Sequence, residues 1–184
     1  MQKQPLTKEQ VTRQLKGFDK ESHAQSLANG IMRSCKDADS LQTRVEQANA
    51  VVSSLRERGV TSFFAAEYAK VFTDPVQAMA TREKLIAEFE TRHDLKPKHA
   101  AKMADCIVFA SAKKASSEYI ERLALLSAKA LRAVVPFEVV ADVIYYSPAD
   151  VDPATFAKRC VATSLKKDKP LVVSEVELAA RLNN

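Results

Sequence analysis

The sequence predicts an all-α, multi-helical single domain of eight to nine helices, with an N-terminal antiparallel helical hairpin. Three observations carry that prediction. Only three glycines, Gly17, Gly30 and Gly59, occur in 184 residues, where an average chain at about 7% glycine would hold roughly 13. Glycine supplies the left-handed turns, bulges and close backbone approaches that strands and phosphate-binding loops use. Apolar residues recur at spacings of three and four along most of the chain, the period of a helix with one buried face. Pro75, Pro97, Pro136 and Pro153 each stand where a helix could begin, and proline suits the first helical turn.

Thr7 and Gln10 have capping-box spacing ahead of Val11 and Leu15, and Gly17 follows as a C-cap glycine. Residues 1–18 are therefore read as a short helix or arm. Asp19 is taken to open a longer helix with Ala24, Ala28, Ile31 and Cys35 on one stripe. After Lys36-Asp37-Ala38, Asp39 and Gln42 have the spacing of another capping box. The helix beyond them sets Leu41, Val45, Ala48, Val52 and Leu55 at alternating spacings of four and three, and runs to Arg56-Glu57-Arg58-Gly59. The 3–4 alternation and the short link predict an antiparallel hairpin over residues 19–59. Gly30 costs that hairpin about 1 kcal/mol against alanine unless a neighbour packs on it.

Residues 60–184 are read as the helical body, in one domain with the rest. A helix starting near Thr61 or Ser62 carries Phe64, Tyr68, Val71 and Phe72. Thr73-Asp74-Pro75 stops it and starts the next, whose face is read as Val76, Met79, Ile86, Phe89 and His93. Lys96-Pro97 opens a helix with Met103, Ile107 and Ala110 inward. Ser116-Ser117-Glu118 marks a cap or break before Ile120, Leu123, Ala124, Ala130, Leu131 and Val134. Residues 136–146 are ambiguous. Val139, Val140, Val143, Ile144, Tyr145 and Tyr146 are strand-prone, yet Glu138 and Asp142 fall one helical turn apart; helix is favoured and strand stays open. Asp152-Pro153 starts a helix bearing Phe156, Cys160 and Val161. Ser174 and Glu177 then give a last capping box, with Val173 and Leu178 placed as a hydrophobic staple.

A hydrophobic content of 46% with 28% charged residues suits a folded chain. No run of 18 uncharged apolar residues occurs, so no membrane span is expected. Met1 to Gln10 is polar and lacks an apolar signal core, which favours a cytoplasmic protein or part of an intracellularly assembled particle. Cys35, Cys106 and Cys160 match neither zinc-ribbon nor redox spacing and are expected to be buried, reduced thiols. The formal charge of +5 is spread thinly along the chain, so it favours anionic partners only weakly.

The motifs of nucleotide loops, zinc proteases, paired-cysteine sites and serine hydrolases are all missing, and no cofactor or metal is expected. Glu90 and His93 form a Glu-x-x-His of the kind used by di-iron bundles, but no second copy exists, so a helix-end surface pair is the simpler reading. His99, Met103 and Cys106 could make a soft-metal face, and Phe64, Tyr68 and Phe72 a stacking ladder; at helical spacing both are read as core. Glu90, His93 and Tyr119 are the weak starting points for any enzymatic reading.

Two basic clusters remain. Arg92, Lys96, Lys98, His99 and Lys102 gather at one helix joint. There Lys96, Lys98 and His99 oppose the dipole of the helix they open, by a few tenths to about 1 kcal/mol each. Free N–H groups and cations together suggest a site for a phosphate or an acidic partner. Lys158, Arg159, Lys166, Lys167 and Lys169 flank the connection between the last two helices. That connection is too long for a helix-turn-helix, and Glu175 and Glu177 would repel phosphates. The expected function is a non-catalytic protein-interaction or assembly role, as structural subunit or adaptor, with a protein partner or another copy bound through helical faces. The alternative is a nucleic-acid-associated protein making sequence-independent phosphate contacts through basic helix junctions.

Overall fold

Capping and packing together build the residues that the computed structural model describes, 6–35 and 37–184, from helices and short joints, with no strand among them. Residues 1–5 of the expected arm and Lys36 of the second joint lie outside the described residues. The elements are α1 (Lys8–Gln14), α2 (Glu21–Ser34), α3 (Ala38–Glu57), α4 (Ser62–Val71), α5 (Pro75–His93), α6 (Pro97–Ala112), α7 (Glu118–Arg132), α8 (Phe137–Tyr146), α9 (Pro153–Lys166) and α10 (Glu175–Asn183). The described residues thus form ten helices, not eight to nine. Both the short α1 and the strand-prone 136–146 stretch form separate helices. No helix among the described residues is long and apolar enough to cross a membrane.

Thr7 caps α1 reciprocally: its Oγ1 accepts from the Gln10 N–H at 3.3 Å, and Gln10 Oε1 accepts from the Thr7 N–H at 2.7 Å. The cap of α3 is Asp37 rather than Asp39. Asp37 Oδ1 accepts from the Ser40 N–H at 2.8 Å, which leaves Asp39 in the first turn, where its charge favours the dipole. Asp19 does not cap α2. Lys20 occupies that position without a side-chain bond, and the Asp19 carboxylate is taken by Arg56 at 2.7 Å. At α10, Ser174 Oγ accepts from the Glu177 N–H at 3.2 Å, while the Glu177 carboxylate turns to Arg181 at 2.6 Å.

Helix exits depart further from expectation. Gly17 and Gly59 adopt φ of +84° and +77°, as stops after α1 and α3. Beyond them, Asp94, Ala115, Val134 and Asp168 take φ of 50°, 48°, 63° and 53° just past α5, α6, α7 and α9. Proline starts the helices, and these four residues end them in the conformation that glycine usually supplies. Val134 therefore leaves the buried face assigned to it and is 68% exposed.

The chain divides into two compact units, Met1–Thr81 and Arg82–Asn184, so the break falls within α5. In the first unit α4 packs across both α2 and α3, α1 packs on α2, and α2 touches α3 less than either touches α4. The stripe Leu41, Val45, Ala48, Val52 and Leu55 is buried, as are Ala24, Ala28 and Ile31, while Cys35 is only half-buried. The Lys70 stem lies over Gly30, where an added Cβ would meet Lys70 Cγ at 3.2 Å. The Lys70 ammonium reaches Glu67 at 2.7 Å and Ser26 Oγ at 2.9 Å.

In the second unit α6, α7 and α8 pack on one another, α9 packs on α8, and α10 packs on α9 and α7. Met103, Ile107, Leu123, Ile144, Phe156 and Leu178 are fully buried. Residues 137–146 are helical because Val139, Val140, Ala141, Val143 and Ile144 are all buried; tertiary burial outweighs their weak preference for strand. Along α5 the buried residues are Ala78, Leu85 and Phe89, and Val76 is 72% exposed. Of the face read from hydrophobicity, Phe89 is buried and Met79, Ile86 and His93 are half-buried; the stripe of Ala78, Leu85 and Phe89 also takes in Arg82, its Nε donating to the buried Asp105 at 2.9 Å.

Candidate anion-binding groove

At the joint between α5 and α6, two of the first backbone N–H groups of α6 are used within the helix start itself. Past His93 the chain turns at Asp94, and the Leu95 N–H returns to the Phe89 carbonyl at 3.2 Å. Lys96 caps α6 without a side-chain bond. Pro97 has no N–H to give, and the His99 and Ala100 N–H groups both donate to the Lys96 carbonyl, at 2.8 and 3.0 Å. The His99 ring stacks on Phe137 at 4.4 Å and 10°. Arg92 sits 4.0 Å from Glu88, and Lys96, Lys98 and Lys102 are exposed around this joint.

Met103 and Cys106 are core residues. Burial pushes both the Cys106 and Cys160 thiols up to about 12, so neither is a nucleophile at neutral pH. Tyr68 and Phe72 are buried and Phe64 half-buried. No three His, Cys, Asp or Glu side chains group together among the described residues, around Glu90 and His93 or elsewhere. His93 Nε2 is buried without a partner. Burial, reinforced by the Arg132 guanidinium, holds the His93 imidazole below its ordinary 6.5.

The second basic cluster is organised differently. α8 and α9 pack side by side in the second unit. Their shared edge forms a groove of about 440 Å³ lined by Asp142, Val143, Tyr146, Ser147, Arg159, Thr163, Lys166 and Lys167. Asp142 accepts from Lys167 at 2.6 Å and Glu138 from Lys169 at 3.2 Å. The Asp142 hydrogen bond raises the Lys167 ammonium above its ordinary value. The Glu138 backbone N–H, joined by Lys169, lowers the Glu138 carboxyl.

Two of the five cations are thereby neutralised, and Lys158 is exposed on α9 outside the groove lining. Arg159 and Lys166 remain. Arg159 is half-buried and donates from Nη1 to the buried Ser147 Oγ at 3.0 Å. Among the described residues neither Arg159 nor Lys166 is paired with a carboxylate. Along the groove, three cations face one carboxylate, which leaves a surplus of two positive charges.

One wall is held by an aromatic row. Phe109 stacks on Tyr145 at 4.4 Å and 9°, and Tyr145 meets Tyr146 edge-on at 4.9 Å. Lys113 Nζ donates to the Tyr145 and Ser147 carbonyls at 3.3 and 3.1 Å, where a cation complements the carbonyl end of α8. Tyr146 ends the row 76% exposed. Such a groove presents cationic and hydroxyl donors, one carboxylate and an exposed tyrosine ring, the ingredients of a small anion site.

Sequence reasoning selected the cations but missed Asp142, Tyr146, Ser147 and Thr163 as their companions. The available signal was the Glu138–Asp142 pair, one turn apart on a helix and matched by Lys167 and Lys169. No family model, curated protein or solved structure matches this chain.

Proposed function

We propose that this protein is a non-catalytic helical interaction or assembly protein whose partner-facing surface lies at the α9–α10 corner. One observation supports this reading: Leu165, Val172 and Val176 are 67%, 83% and 81% exposed within one short stretch of chain. Isolated exposed apolar residues are ordinary, but several together mark interaction surfaces. All three side chains are mostly exposed, so replacing them by serine should leave the fold intact. Light scattering across a concentration series is the test. Self-association in the parent protein and its loss in the triple-serine variant would support the reading; a strict monomer whose hydrogen exchange is unchanged at this corner on mixing with any partner would refute it.

A second reading, sequence-independent phosphate contact, is favoured by the carboxylate-free Arg159 and Lys166 of the α8–α9 groove. Binding to a duplex or single strand should weaken steeply with salt, in proportion to the phosphates contacted. Salt-insensitive association with protein and none with nucleic acid would select the first reading.

A further inference from the structure

We propose that the α8–α9 groove binds a nucleoside monophosphate unit, with the phosphate at Arg159 and Lys166, a sugar hydroxyl at Asp142 and the base on Tyr146. The proposal is independent of the protein-interaction reading. It deepens the phosphate-contact reading by naming the ligand and its orientation.

The charge argument comes first. Arg159 is half-buried, touches a hydroxyl where a carboxylate would be the ordinary partner, and lines the same groove as Lys166. A guanidinium offers five donors in a planar fork suited to phosphate oxygens, and the bond to Ser147, its one side-chain bond among the described residues, leaves most of them unused. Lys166 adds a second positive charge, so a dianionic monoester would balance the groove's surplus. Thr163 contributes a hydroxyl to the same lining.

The remaining groups discriminate among phosphate esters. Asp142 is held by Lys167 at 2.6 Å through Oδ2, and a carboxylate has four lone-pair sites, so it can still accept from a sugar hydroxyl. Tyr146 lines the groove, is exposed, and meets only the edge-on ring of Tyr145 among the described aromatic contacts, so its ring is open to a stacking base. Stacking of a base on such a ring is indifferent to base identity. The groove's volume of about 440 Å³ falls within the range of small-molecule sites, about 300–1,000 Å³. Inorganic phosphate would leave Tyr146 and Asp142 unused, and a phosphorylated aromatic side chain would leave Asp142 unused.

Two sources supply this unit, the free nucleotide and the 5′-phosphorylated end of a strand, and the test separates them. The full chain is titrated with adenosine and guanosine 5′-monophosphates, adenosine, inorganic phosphate, phosphotyrosine, and a short oligonucleotide with either a 5′-phosphate or a 5′-hydroxyl. Calorimetry and backbone amide shifts are the readouts. The monophosphates, or the 5′-phosphorylated strand alone, should bind and shift amides around Tyr146, Ser147 and Thr163. Lys166→Gln, at an exposed position, should weaken binding roughly tenfold, the loss of one charged hydrogen bond. Tyr146→Ser should weaken nucleotide binding while sparing inorganic phosphate. Arg159→Gln serves as a third variant, with the circular dichroism spectrum as its folding control.

Absence of monophosphate and 5′-phosphate binding, equal affinity for adenosine, preference for phosphotyrosine, or affinity unchanged by Lys166→Gln and Tyr146→Ser would each overturn the proposal. Strand binding indifferent to the 5′-phosphate would also overturn it, while leaving the phosphate-contact reading standing.

Discussion

Val134 is an exposed β-branched residue in left-handed backbone, at φ 63°, a conformation costing an L residue about 1–2 kcal/mol. It recovers little of that cost through packing, being 68% exposed. Val134→Gly should stabilise the fold by about 1 kcal/mol, since the strain relieved exceeds the extra entropy of an unfolded glycine; a raised urea midpoint with unchanged slope is the check. The glycines give the opposite comparison. Gly59→Ala should cost about 1 kcal/mol through φ alone, because nothing lies within 4 Å of the added Cβ. Gly17→Ala should cost more, roughly 2 kcal/mol, because its Cβ would also meet Val52 Cγ1 at 3.1 Å. The two glycine stops were legible because glycine signals its own conformation. Ala115 and Val134 carry no such signal: helix geometry and the short links impose φ on them against their chemistry.

Elements are tied by a few polar clamps that the sequence did not disclose. Asn49 of α3 accepts from the Lys16 N–H and donates to the Gln14 carbonyl, both at 2.9 Å, so it serves two backbone groups that the end of α1 leaves open. Asn49→Ala should cost about 2 kcal/mol and speed amide exchange across α1 before the rest of the chain. Arg44 does the same for α4, donating to the Ala69 and Phe72 carbonyls. The Lys70–Glu67 pair is a sterner case, with side chains only 16% and 8% exposed. Lys70→Met should destabilise by about 3 kcal/mol by leaving a buried carboxylate unpaired, and adding Glu67→Gln should recover much of that loss; urea unfolding of the double-mutant cycle measures it. Helix existence and most boundaries followed from caps, prolines and apolar spacing. The faces were legible where apolar residues alone made them, as in α3. In α5 they were legible only in part, Phe89 being buried and Val76 exposed, because Arg82 holds a place on the buried stripe through Asp105, and a hydrophobic count assigns an arginine to solvent.

For the whole molecule, charge pattern was legible and charge pairing was not. The five cations of the second cluster stand out in the sequence, but which of them stay unpaired depends on α8 lying against α9, a packing relation between elements. The same pairing governs stability against pH. Burial holds His93 below its ordinary 6.5. Hydrogen bonds from Ser40 to Asp37, from Lys114 to Asp150, and from Thr155 to Asp152 hold those carboxyls below 3.8; the Glu138 backbone N–H and Lys169 hold Glu138 below 4.5. At each group the unfolded chain binds protons that the folded chain refuses, so stability must fall as pH falls. The first loss begins near 6.5, from His93, and the second in the carboxylate range. On the alkaline side the folded chain keeps the Cys106 and Cys160 protons up to about 12, whereas unfolded thiols release theirs from 9.0. Lys167, raised above 10.5 by Asp142, acts in the same direction. Stability should therefore be greatest between about pH 6.5 and 9, set by those unfolded values, and decline on both sides. Urea unfolding across a pH series measures the dome. His93→Leu should flatten the first acid step and leave the second, because it removes a buried Nε2 with no partner and the titration that goes with it. An acid limb of the same slope in that variant would place the proton uptake elsewhere.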